Sequence, residues 1–287
     1  MATSDELADL VEIALFTIGE RAAGVNRIED LLGRATGGEQ PRLDVALGVM
    51  RRRQMILGSS YPFDVRESAI KRDDAWPELV YSMLLLMSPA NLSRELMSAT
   101  EISVAAANFE RVVVEAIQKY LGEGAKAVRF AWPSDSGRPP EFPDAVKWLA
   151  ALMGVRLGGG YRQPRRKDGG VDVIGWRPFR DGRSAFPIVL VQCTIQADVL
   201  SKSLDIDVRN WSSWLELVRD PSTILSMPQV VPGNTEVWNE LALKNLVFDR
   251  MRLVELIGHN LSSTLQDALS VWATVNVQKV RARIDSI

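Results

Sequence analysis

Apolar positions recur at helical spacing from the start of the chain. Leu7, Leu10, Val11, Ala14 and Ile18 predict an amphipathic helix over residues 4 to 20, closed near Gly24. NRIEDLLGRA continues helical into Gly37 and Gly38, and Leu43 to Ile56 is helical again. SSYPFDV reads as a turn with an extended segment, and Trp76 to Met87 as a strongly apolar helix. Residues 1–99 are therefore expected to form a helical N-terminal region without chemistry of its own. From Thr100 the pattern changes. Ser103 to Gly122 predicts a long helix striped by Phe109, Val112, Val113, Ala116, Ile117 and Tyr120. AVRFAWP then predicts a short strand, and DAVKWLAALMG a helix capped by Asp144.

Two short apolar runs follow, VDVIGW and PIVLVQCTI, joined by a charged connection containing Asp181-Gly182. That dipeptide is a hairpin feature and pairs the two runs antiparallel. Leu200, Leu204, Val208, Trp211, Leu215 and Val218 resume helical spacing, with Lys202 in the first turn. PSTILSMPQVVPGN reads as irregular, residues 246 to 257 as a strand running into a helix, and Leu261 onward as a final helix. The pattern is α/β, with residues 100–287 forming the second region.

Composition narrows the chemistry. Among 287 residues there is one cysteine and one histidine, which exclude a disulfide framework and a structural zinc site. A serine triad would have to use His259, and no G-x-S-x-G elbow is present. The net charge of −2 exerts no global pull on nucleic acid, so any phosphate contact must be local. The acidic N-terminus does not resemble a signal peptide, no apolar run reaches bilayer length, and a cytoplasmic protein is expected.

Against that background Asp172 stands out, because Val171, Val173 and Ile174 surround it. A carboxylate in a buried strand is costly unless its charge is compensated. Two adjacent strands presenting oxygens to a metal ion would compensate it, and Gln192 lies on the second strand. Glu110 borders the apolar stripe of the long helix. Arg162, Arg165, Arg166 and Lys167 place four positive charges in six positions just ahead of Asp172. They suit a nucleic-acid backbone, or else form a solvated loop. Arg51, Arg52 and Arg53 read as a solvated helix face, Trp211 and Trp214 as helix packing, Cys193 as a small core residue, and Asp249-Arg250 as a structural pair.

The order of helix with Glu110, strand with Asp172, strand with Gln192 and helix with Lys202 resembles the PD-(D/E)xK nuclease superfamily. The matching residues are Phe109-Glu110, Gly170-Val171-Asp172-Val173-Ile174 and Val191-Gln192-Cys193-Thr194, within residues 100 to 257. Thr194 departs from the pattern, since it stands where the family carries lysine. The resemblance implies a restriction-endonuclease-like core, a central mixed sheet flanked by helices. It also implies a Mg²⁺-dependent endonuclease, with Mn²⁺ as substitute, acting on DNA in restriction or phage defence. Glu110, Asp172, Gln192 and Lys202 would be catalytic. Asp172, Gln192, Glu110 and the backbone carbonyl of Cys193 would hold the metal. Lys202 either replaces the missing lysine or the site is degenerate and the protein only binds nucleic acid or a partner. Lysine near a helix N-terminus is disfavoured by about 0.3–1 kcal/mol, which points to a use. The helical N-terminal region offers a surface for a protein partner, and double-strand cleavage by one site per chain implies a homodimer.

Overall fold

The structure, a computed structural model, describes residues 3–286 apart from 36–41, 90, 135–136, 161, 165–166 and 234. In chain order its first elements are α1 (Ser4–Thr17), β1 (Ala22–Gly24), α2 (Val25–Ala35), α3 (Leu43–Leu57), β2 (Phe63–Val65) and β3 (Ala69–Arg72). Next come α4 (Val80–Met87), α5 (Leu92–Glu95), α6 (Ala99–Leu121), β4 (Lys126–Arg129), α7 (Phe142–Met153), β5 (Val173–Trp176) and β6 (Ile188–Cys193). The chain continues through α8 (Val208–Trp214), β7 (Ser222–Ser226), α9 (Glu236–Lys244), β8 (Leu246–Phe248), α10 (Arg250–Ile257) and α11 (Ser263–Asp285). Two compact units result. One comprises Met1–Asn108, Pro228–Pro232 and Asp249–Ile287, and the other Phe109–Met227 and Gly233–Phe248. This differs from a division at residue 99, because α10 and α11 group with the N-terminal segments.

The first unit is helical but also holds an antiparallel sheet in the order β1-β3-β2. Its strands span three or four residues, too few to display an alternating pattern. α1 opens on a reciprocal capping box between Thr3 and Glu6. Its Asp5, Asp9 and Glu12 are spaced four and three apart, so they share one face. All three carboxylates converge on Arg53 of α3, at 2.9, 2.7 and 2.9 Å. Arg250 adds a second cation on Asp9, while Tyr61 and Tyr81 donate hydroxyls to Glu12. Arg53 is therefore fully buried, and of the Arg51–Arg53 run only its first two members are the exposed face expected. Arg250 pairs with Asp9, whereas Asp249 caps α10 by accepting the Arg252 N–H.

The second unit is α/β: a five-stranded mixed sheet in the order β4-β5-β6-β7-β8, flanked by helices. β4, β5 and β6 are antiparallel neighbours, and β6, β7 and β8 run parallel. The hairpin signalled by Asp181-Gly182 is the β5–β6 pair. β7 lies within the stretch read as irregular. It is five residues long and follows Pro221, but parallel neighbours on both edges fix it as a strand. Asp144 lies within the first turn of α7 and the N-cap is Glu141. One sheet face carries a core of Phe130, Phe142, Leu149, Ile174, Leu190, Trp211 and Trp214, so both tryptophans pack as expected.

Across the other face lies α6, and Gly175 seats it. A Cβ at Gly175 would meet Ile117 Cγ2 at 2.2 Å and Val189 Cγ2 at 3.0 Å. Glu110 precedes Ile117 by seven residues, two helical turns or about 10.5 Å. Asp172 precedes Gly175 by three residues, about 10 Å of strand. The two advances match, which brings Glu110 to the end of the sheet where Asp172 sits.

Two measurements test these packing arguments. Arg53→Met is expected to cost about 3–5 kcal/mol by stranding buried carboxylates. The loss should be smaller at pH 5 than at pH 8, because burial already raises the pKa of Glu12 and a protonated acid needs no counter-charge. An equal loss at both pH values would assign the effect to packing alone. Gly175→Ala must displace α6 and should lower stability by about 1–3 kcal/mol in thermal unfolding. An unchanged Tm would show that α6 is not seated there.

Candidate functional site at the ends of β5 and β6

Asp172 is the residue just before β5, and its backbone extends the pairing on both sides. Its N–H donates to Val191 O at 2.8 Å, and its carbonyl accepts the Phe130 and Ala131 N–H groups at 2.7 and 3.0 Å. The residue is only 7% exposed. Its Oδ2 accepts the Cys193 N–H at 2.8 Å and the Gln192 side-chain amide at 2.6 Å. The same Gln192 Nε2 also donates to the Cys193 carbonyl at 3.0 Å. One NH₂ group thus reaches both Asp172 Oδ2 and Cys193 O, so these two oxygens converge on a single point.

Burial, followed by repulsion from Glu110, holds the Asp172 carboxyl well above the usual carboxylate range. Asp168 pushes the same way, and the Cys193 N–H and the Lys202 ammonium oppose it. Glu110, Asp172 and Lys202 therefore share one electrostatic neighbourhood. Glu110 is steered by Arg129, the last residue of β4, whose Nε donates to Glu110 Oε2 at 2.5 Å. Arg129 is itself buried and donates from Nη1 to Pro133 O at 2.8 Å. It is a site residue that the sequence reading missed. An arginine closing a short, half-buried strand was the available signal, since such a cation needs a nearby acid.

Lys202 sits in a 3-10 turn, Ser201–Leu204, and not in the first turn of a helix, because α8 starts only after Asp207 caps it. No helix dipole therefore acts on it through a first helical turn. Its Nζ lies 3.5 Å from Asp205 Oδ2, both side chains being largely buried. Thr194, the residue after β6, is buried. Its N–H donates to Ser226 O of β7, and its hydroxyl accepts the Gln196 N–H. The Cys193 thiol is buried and its pKa lies well above the ordinary value, first through burial and then through Asp172, as suits an inert core residue.

Of the basic loop, Arg165 and Arg166 lie outside the described residues, and Arg162 and Lys167 are exposed. The Arg162 carbonyl accepts Trp214 Nε1 at 2.8 Å. Arg162 also lines a cleft of about 510 Å³ with Gly170, Asp205 and Asn210. Gly170 is required there, because a Cβ would meet Asp205 O at 2.2 Å. In the other unit, His259 lies 3.1 Å from the Ser59 hydroxyl, exposed and without a third group to orient it among the described residues.

No group of three or more His, Cys, Asp or Glu side chains suited to a metal ion occurs among the described residues. The donors at Asp172 are of a different kind: one carboxylate, one backbone carbonyl and one amide. Gln192 Oε1 is buried without a hydrogen-bond partner. Turning the amide about its last bond would exchange Nε2 for Oε1 at the point where the other two oxygens converge. The three oxygens would then lie side by side, a donor set of the kind a hard divalent cation takes.

The raised acid gives a signed test. A folded-state pKa above the unfolded value contributes stability present below the unfolded pKa and lost as pH rises through the folded one. In chelator, Asp172→Asn should melt higher than the parent chain, with a gap that widens from pH 5 to pH 8. Each kcal/mol corresponds to about 2–4 °C for a unit of this size. Mg²⁺ at pH 8 should raise the Tm of the parent and not of the variant. A pH-independent gap would show that the Asp172 charge is not penalised.

Comparison of the chain with protein-family models, with curated protein sequences and with solved structures returns no match.

Proposed function

We propose that this protein is a metal-dependent nuclease that hydrolyses phosphodiester bonds in DNA through a restriction-endonuclease-like core. The observation that carries the reading is the convergence of Asp172 Oδ2, Cys193 O and the Gln192 amide at the ends of β5 and β6. Glu110 and Lys202 both act on that same carboxylate. The mixed sheet, with α6 ahead of it and the aspartate and glutamine on adjacent antiparallel strands, supports the same core.

Asp172, Cys193 O and Gln192 Oε1 would hold Mg²⁺ or Mn²⁺, which supplies Lewis acidity and lowers the pKa of water at the phosphate. Asp172 first has to lose the proton that burial favours, so binding strengthens as pH rises. Glu110, fixed by Arg129, orients the attacking water from the α6 side. Lys202 exchanges Asp205 for the phosphate and stabilises the charge that develops there. Restriction or phage defence is the setting that the resemblance to PD-(D/E)xK nucleases implies for such an activity.

A second reading rests on Thr194 and on the amide itself. No cation stands at the family lysine position, and the Gln192 Nε2 already bonds both convergent oxygens. On that reading the unit binds nucleic acid or a protein partner without cutting. Cleavage of linear and supercoiled DNA in Mg²⁺ or Mn²⁺ separates the two. The parent chain should cut, and Asp172→Ala and Lys202→Ala should each lose about 10²–10³-fold in rate. Binding without cleavage in either metal supports the second reading. Activity untouched by both substitutions would remove these residues from the site.

A further inference from the structure

Trp132 follows Phe130 and Ala131, whose N–H groups bond the Asp172 carbonyl. Its Cα is thereby tethered within about 8 Å of that carbonyl. Trp132 is 38% exposed as a residue, unlike Trp176, Trp211 and Trp214, which are buried. Two cations flank its ring: Lys167 Nζ lies 4.8 Å and the Arg138 guanidinium 5.8 Å from the centroid. Arg138 is 4% exposed and rigidly held. It stacks on Phe130 at 4.4 Å, and its two terminal nitrogens donate to the carbonyls of Pro139 and Lys167.

A lone exposed tryptophan is ordinary. Here the ring is braced by a buried guanidinium, carries an exposed lysine, and stands beside the candidate site. We infer that Trp132 is a base-stacking subsite for an unpaired nucleotide of DNA, with Lys167 taking the adjoining phosphate. A stacking aromatic next to a backbone-tracking cation is the general solution for single strands. Lys167 needs only to move from the ring to the phosphate, since an exposed cation–π contact is weaker than base stacking. The choice of substrate rests on the nuclease reading, whereas the stacking contact can be measured without cleavage.

The test is fluorescence anisotropy in EDTA at low salt, using a labelled dT 12-mer, an abasic 12-mer carrying the same phosphates, and a 12-base-pair duplex. The full chain should bind the dT 12-mer more tightly than the abasic strand. Trp132→Ala should weaken dT binding by about 5- to 150-fold and leave the abasic strand and the duplex unchanged. Trp132→Phe should retain part of the preference, and circular dichroism confirms folding of both variants. An equal loss on dT and abasic strands, or no loss on either, overturns the subsite. So does a parent chain with no preference for bases, even if it cuts DNA. A base preference in a protein that cuts nothing would overturn the nuclease reading and leave the subsite standing.

Discussion

A carboxylate that the fold removes from water is the constraint on which the second unit's site depends. Asp172 is kept there by β5 and β6, shielded by apolar neighbours and pressed by the charge of Glu110. Few side chains make this cost worth bearing, and the surrounding groups are arranged around it. The Cys193 N–H and the Gln192 amide both bond the same oxygen, Lys202 attracts it, and Arg129 holds Glu110 in place. Removing the aspartate would leave these groups without a common partner. The sheet end is organised by a buried acid, and the strands supply the rigidity that holds it.

How much of this was legible in the sequence depended on which physical effect decided each position. An aspartate inside VDVIGW and a glutamine near the end of PIVLVQCTI are visible because burial contradicts polarity, and Asp181-Gly182 fixes how they pair. Glu110 could be placed on α6, but its reach to Asp172 needed Gly175, whose missing side chain lets the helix lie close. Arg129 was overlooked because its partner lies on another element, 19 positions earlier. Leu200, Leu204 and Val208 keep helical spacing on either side of Lys202. The 3-10 turn and the Asp207 cap instead start the helix late. β7 escaped because a five-residue parallel strand owes its existence to its neighbours and not to its own pattern.

The first unit shows the same limit from the other side. Three consecutive arginines are usually a wet surface, and two of these are. The third is drawn inside by three acids on α1 whose spacing puts them on one face. A buried ion cluster of this kind is poor evidence for extra stability, since well-packed apolar residues can do as well. What it adds is specificity of register. α1, α3, α4 and α10 can meet in one arrangement only if Asp9, Arg53, Tyr81 and Arg250 all find their partners.

Gln192 has a consequence for how an ion and a substrate would depend on each other. With a neutral amide beside one carboxylate, about half of a divalent charge would stay uncancelled at this position, because Glu110 is already paired with Arg129. Ion alone would then be weakly held, and so would phosphate alone. Together each supplies the charge the other lacks, which is positive linkage, and reciprocity requires both affinities to rise by the same factor. A site of that design would take the cation weakly by itself and more firmly once a phosphodiester arrives.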